Sequence, residues 1–137
     1  MNTAKVFVVD DESVICWTLE LIIKSMGFTT YSFIDPREAL HAAFTDCPDL
    51  LISDITMPHM SGIELAIQMQ MNDPRCKVLL VSGLATVQDL LLSARESGYE
   101  FPILKKPIHP EALIAAVRGY LEVEDIPDAG TRHNNRC

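Results

Sequence analysis

Three aspartates and a lysine stand at the ends of short hydrophobic runs. Val6-Phe7-Val8-Val9 leads into Asp10-Asp11, Leu50-Leu51-Ile52-Ser53 into Asp54, and Ile103-Leu104 into Lys105-Lys106-Pro107. If these runs are parallel strands, the charged residues meet at the carboxyl edge of one sheet, where open α/β sheets place ligand sites. Carboxylates facing an ammonium group suit a divalent metal and a phosphoryl group, since magnesium prefers oxygen ligands and takes only one or two from carboxylates. Without a cation, three such carboxylates repel and their proton affinities rise. A plainer reading has Asp10 and Asp11 capping the next helix and Asp54 as a solvated strand end.

Apolar runs of strand length alternate with longer stretches of helical periodicity, the pattern of βα units around a parallel sheet. The first strand spans about Lys5 to Val9. Ile15, Leu19, Ile22, Ile23 and Met26 follow at helical spacing, and Gly27 ends that helix. Thr29 to Phe33 is polar enough for an edge strand. Asp35, Pro36 and Glu38 open the second helix as cap, first position and capping-box partner. Asp49 to Asp54, apolar on both faces, is a central strand. Ser61 and Glu64 form a second capping box. Lys77 to Ser82 is the fourth strand, and Thr86 and Asp89 open a helix that Gly98 ends. Phe101 to Leu104 is the fifth strand, at an edge because of Pro102. Pro110 and Glu111 open a last helix to about Glu122. From Val123 to Cys137 periodicity is lost, which reads as a flexible tail or the start of a linker.

The 137 residues fit one domain with a single core, and 48% of them are hydrophobic, so disorder throughout is excluded. A net charge of -8 argues against nucleic-acid binding through a basic face. No apolar stretch approaches a membrane span, and the N-terminus has no signal-peptide pattern. Cys16, Cys47, Cys76 and Cys137 are scattered, and His41, His59, His109 and His133 do not stand at zinc-like spacing from them. They read as free thiols of a reducing cytoplasm, with Cys137 as the reactive one. Trp17 lies off the apolar stripe of its helix and is expected at the surface.

The turn Asp54-Ile55-Thr56-Met57-Pro58-His59-Met60-Ser61-Gly62 carries a more specific signal. Together with the paired acids Asp10-Asp11, Ser82-Gly83 after strand four, and Lys106-Pro107 after strand five, it resembles the receiver domain of bacterial-type two-component response regulators. The resemblance covers about residues 5 to 122. It implies a receiver domain over 4–122: a doubly wound, flavodoxin-like five-stranded parallel sheet of order 2-1-3-4-5.

The resemblance also implies roles. Asp54 would accept a phosphoryl group from a histidine kinase or phosphotransfer protein, as in a phosphorelay. Asp11, Asp54 and the backbone carbonyl of Thr56 would bind magnesium (or manganese), with Asp10 acting mainly through water. Lys106 would neutralise the phosphoryl oxygens, and Ser82 would hydrogen-bond the attached group, with Gly83 leaving it room. The bond before Pro107 is often cis in this family. The protein would be a signalling phosphoacceptor with self-catalysed phosphoryl transfer rather than an enzyme. Its helix four, strand five, helix five face would switch, meet a downstream effector of unknown kind, and in some members pair two copies. Direct contact with nucleic acid or membrane is not expected.

Two departures stand out. Ile103 occupies the position three before the lysine where the family usually has Tyr or Phe; Phe101, on the same face by strand alternation, could substitute. Thr56 and Leu84 stand where the family tunes attack by water on the acyl phosphate. Leu84 cannot orient a water, which predicts slow self-dephosphorylation. Three rival readings fit the sequence less well. A haloacid-dehalogenase-type phosphatase needs an Asp-x-Asp after strand one, and Glu12 follows Asp10-Asp11 instead. A flavin-binding domain needs a Gly/Ser/Thr-rich loop there. A non-switching receiver-like docking module rests on Ile103 alone. His59 reads as exposed and incidental, and the methionines as packing residues.

Overall fold

A computed structural model describes residues 3–83 and 88–121. Five parallel strands, β1 (Lys5–Val9), β2 (Thr29–Phe33), β3 (Leu50–Asp54), β4 (Lys77–Ser82) and β5 (Ile103–Lys105), form one sheet of order β2-β1-β3-β4-β5. Five helices connect and follow them: α1 (Ser13–Ser25), α2 (Pro36–Thr45), α3 (Gly62–Asn72), α4 (Gln88–Glu96) and α5 (Pro110–Leu121).

Strand alternation sorts the core into two layers. Val6, Val8, Leu50, Ile52, Leu79 and Val81 project to one face, where α1 brings Cys16, Leu19 and Ile23, and α5 brings Leu113 and Val117. Phe7, Val9, Leu51, Val78 and Leu80 project to the other, against residues of α2, α3 and α4. A residue of period two buries on one layer only, but a central strand covered on both faces must be apolar throughout. Every residue of β3 is buried, as its composition required. Each large side chain so buried contributes roughly 1.5–3 kcal/mol.

The expected helix ends are present. Gly27 and Gly98 adopt φ of +98° and +95°, a left-handed region where a Cβ is costly. Ser61 and Glu64 make a reciprocal capping box. At α2 the expected box differs: the Asp35 side chain accepts from the Arg37 N–H and is gripped by the Arg37 guanidinium at 2.9 and 3.1 Å, which draws the cap to Arg37 and away from Glu38. β5 begins at Ile103, two residues later than expected. Pro102 has no N–H for a ladder, although its carbonyl still accepts from Leu80 N–H at 3.0 Å. Trp17 and His59 are exposed, as read from the sequence. Leu84, Thr86 and residues 122–137, including Cys137, lie outside the described residues.

Candidate functional site

Parallel register brings the strand ends into line. Val9 pairs with Ser53, Asp54 with Val81, and Ser82 with Lys105. Asp10, Asp54, Ser82 and Lys106 therefore emerge along one edge although up to 96 residues separate them in sequence. Backbone bonds hold the loops there: Asp10 N–H to the Phe33 carbonyl at 3.1 Å, Ile55 N–H to Val81 at 3.0 Å, and Lys106 N–H to Ser82 at 2.9 Å. The Lys106–Pro107 peptide bond is cis.

Asp10, Asp11 and Asp54 each offer a carboxylate oxygen, all within 4.8 Å of one another. Asp10 and Asp54 are buried and Asp11 is exposed. Lys106 Nζ lies 3.1 Å from Asp10 Oδ2, 3.5 Å from Asp54 Oδ2 and 3.7 Å from Glu12 Oε1. Asp10 uses its other oxygen to accept from Glu12 N–H at 2.9 Å. Both Asp10 oxygens are thus engaged within the protein, whereas Asp11 faces solvent. The capping alternative for the acid pair is not what forms: Glu12 occupies the N-cap of α1 and makes no side-chain cap bond.

The electrostatics are those of like charges gathered beside one cation. Burial raises the Asp54 carboxyl to about 6, the Asp10 carboxylate adds to the rise, and Lys106 with the Ile55 N–H opposes it. Burial acts to lower the Lys106 ammonium, but its contact with Asp10 and the charges of Asp10, Asp54 and Glu12 prevail and raise it. One ammonium does not neutralise the cluster. Hard carboxylate oxygens at this spacing fit a hard divalent cation, which would relieve the remaining repulsion.

The turn after Asp54 is shaped by Gly62. A Cβ there would lie 2.0 Å from the Asp54 backbone oxygen, so only glycine lets α3 start this close to β3. Gly62 N–H also donates to the Ile55 carbonyl at 2.8 Å, closing the loop. His59 takes φ +74°, strained for a side-chain-bearing residue, inside that same loop. Gly83 is less constrained: a Cβ there would meet Lys106 only at ordinary contact distance, 3.5 Å. Ser82 is buried at the strand end and Thr56 exposed beside Asp54. Lys105 is exposed, and the contacts with Asp10, Glu12 and Asp54 are those of Lys106, so Lys106 is the lysine of the site. Sequence reasoning overlooked Glu12 as a neighbour of Lys106; its adjacency to Asp10-Asp11 was the available signal.

An apolar groove of about 490 Å³ opens beside Lys106, between α1 and the segment leading into α5, lined by Val14, Ile15, Thr18, Ile22, Ile108 and Pro110 among others. Ile103 and Phe101 are both partly buried against the layer that carries α3 and α4, the shared face expected of them.

A doubly wound sheet with acids after β1 and β3, a hydroxyl after β4 and a lysine after β5 defines a class of signalling domain, and comparison with known proteins agrees. Residues 6–118 match the response regulator receiver domain family. The chain belongs to that family. It is 35% identical over 117 residues to the DNA-binding transcriptional regulator NtrC of Escherichia coli, covering 85% of this chain but only 24% of that protein. Among solved structures it resembles chemotaxis protein CheY4 of Vibrio cholerae (TM-score 0.75, 28% identity, 88% of this chain and all of that one). It also resembles a response regulator receiver domain protein of Clostridium thermocellum (TM-score 0.78, 25% identity, 89% and 97%). Among the described residues, no helix is long and apolar enough to cross a membrane.

Proposed function

We propose that the chain is a phosphoacceptor whose Asp54 takes a phosphoryl group from a phosphohistidine of a histidine kinase or phosphotransfer protein. The observation that carries the reading is the contact of a single ammonium, Lys106, with both Asp10 and Asp54, beside a third carboxylate from Asp11. Asp11, Asp54 and the Thr56 carbonyl would hold magnesium or manganese, and Asp10, with both oxygens engaged, would act through water. The metal, when bound, supplies charge neutralisation at the phosphoryl oxygens.

Asp54 is nucleophilic only when ionised, and its burial beside the Asp10 carboxylate keeps part of it protonated near pH 6. A second cation favours the carboxylate. Its oxygen then attacks phosphorus as the P–N bond to the donor imidazole breaks, giving an acyl phosphate. Lys106 would meet the oxygens where charge accumulates, and the Ser82 hydroxyl, at the end of β4, would donate to the attached group. The groove beside Lys106 would seat the donor, with exposed Val14 and Trp17 on α1 available to a partner helix.

The phosphoryl group would shift an existing equilibrium of the α4, β5 and α5 face, provided it binds one state more tightly. Phe101 and Ile103 share the face on which an aromatic normally couples the two. The effector, pairing of two copies, and DNA binding by a longer protein of the NtrC kind belong to the same proposal.

The test is beryllofluoride with magnesium, an acyl-phosphate mimic, read by amide NMR in wild type and Asp54→Asn. Shifts near Asp54, Ser82 and Lys106 that spread to α4 and α5 and vanish in the variant support a working switch. Shifts confined to the site would favour a non-switching docking module. No response would remove the phosphoacceptor reading.

A further inference from the structure

At the opposite, amino-terminal edge of the sheet, two thiols meet. Cys47 lies in the loop before β3 and Cys76 immediately before β4. The chain is already joined here: Lys77 N–H donates to the Asp49 carbonyl at 3.0 Å, and the helices that lead into the two loops are tied by Asn72 Nδ2 donating to the Ala43 carbonyl at 3.0 Å. Cys76 is buried at 2% exposure and its S–H donates to the Lys77 carbonyl at 3.5 Å, while Cys47 packs against the same core cluster that holds Cys76. Cys47 is partly exposed and lines a polar recess of about 270 Å³ with Asp46, Pro48, Asp49, Asp73 and Arg75. A small polar oxidant reaches Cys47 by that recess, while Cys76 waits behind it.

We propose that Cys47 and Cys76 form a reversible disulfide when the protein meets a peroxide, Cys47 reacting first and Cys76 resolving it. The Cys47 thiolate attacks one peroxide oxygen; an S–O bond forms, the O–O bond breaks, and hydroxide leaves as water once protonated. Cys47 is then a sulfenic acid, oxidised by two electrons. The Cys76 sulfur attacks it, the S–S bond forms, the S–O bond breaks, and the second water leaves with the Cys76 proton. One hydrogen peroxide is reduced to two waters.

The surroundings favour this order. The hydrogen bond from Cys76 holds the Cys47 thiol below its ordinary value against its burial, Asn72 assists, and the Asp73 and Asp49 charges oppose. Donating to Cys47 keeps Cys76 protonated, and burial raises it further. Arg75, paired with Asp73, lines the same recess as Cys47. Cys16 provides the contrast: it is buried, raised by that burial, and donates to the Val8 and Phe33 carbonyls. The cross-link would fasten the loops before β3 and β4 and leave the Asp54 edge open. In a reducing compartment it would be transient, which is the regime of redox-sensing pairs.

The test uses the full chain with Cys137→Ser, which removes the terminal thiol as a competitor. Reduced protein is treated with hydrogen peroxide, remaining thiols are alkylated, and peptides are mapped without reductant. A Cys47–Cys76 linked peptide, two hydrogens lighter and released by dithiothreitol, is expected, with Cys16 still reduced. In Cys76→Ala, dimedone should trap a sulfenic acid on Cys47; in Cys47→Ser, Cys76 should stay reduced. The second variant sits at the rim of the core and keeps the test available if the first does not fold. Recovery of Cys47 and Cys76 both alkylated after peroxide, or oxidation of Cys76 in Cys47→Ser, would overturn the proposal.

Discussion

Replacing Asp54 with asparagine should stabilise the metal-free protein, although it removes the proposed phosphoacceptor. Asp54 is only 10% exposed at its side chain and is raised from 3.8 to about 6. A carboxyl whose folded value is raised favours folding fully below its unfolded value and loses that contribution as pH rises through the folded value. Wild type should therefore lose stability relative to Asp54→Asn between about pH 4 and pH 6 and remain behind above it. A rise of about two units corresponds to about 3 kcal/mol. For a domain of this length that is a melting-point gain on the order of 10 °C. The assay is thermal unfolding of both proteins in chelator at pH 4 and pH 7.5. Millimolar magnesium should then raise the wild-type melting point and barely move that of the variant. Equal melting points at pH 7.5, or the same difference at both pH values, would refute the argument from repulsion and burial.

Four further substitutions address the frame and the cation. Gly62→Ala should cost about 3 kcal/mol or more in urea unfolding, because the new Cβ falls 2.0 Å from the Asp54 backbone oxygen; a loss below about 1 kcal/mol would mean that α3 shifts freely. Ser61→Ala should cost about 1 kcal/mol through the lost cap of α3, and adding Glu64→Ala should cost little more, since the two bonds are reciprocal. Lys106→Ala should slow phosphorylation by a small phosphoramidate donor on the order of 100-fold, measured by intact-protein mass. An unchanged rate would show that Lys106 organises the acids without acting on the phosphoryl group.

Much of the molecule could be read from the chain because its signals are local. β3 reads as central because Leu50, Leu51 and Ile52 leave no polar face, and the ends of α1, α3 and α4 follow from Gly27, the Ser61 box and Gly98. Asp35 caps α2 with Pro36 at its first position, as the sequence indicates, but the box with Glu38 does not form for an equally local reason: Arg37, one position earlier, reaches Asp35 with a fork that matches the carboxylate. β5 was drawn two residues too early because apolar character extends through Phe101 while hydrogen bonding does not.

The residue types of the site, and the strand ends that carry them, were determined by the sequence alone. Composition alone does not separate Lys105 from Lys106; the Lys106-Pro107 motif names the second, and the direction of the chain after β5 turns it onto Asp10 and Asp54. The division of labour among the acids came from the resemblance, but its physical reason is tertiary: both oxygens of Asp10 are engaged and Asp11 is exposed. The meeting of Cys47 with Cys76 was invisible for the same reason. Nothing local joins two thiols in separate loops; parallel pairing of β3 with β4 does, because register fixes distances that sequence separation does not.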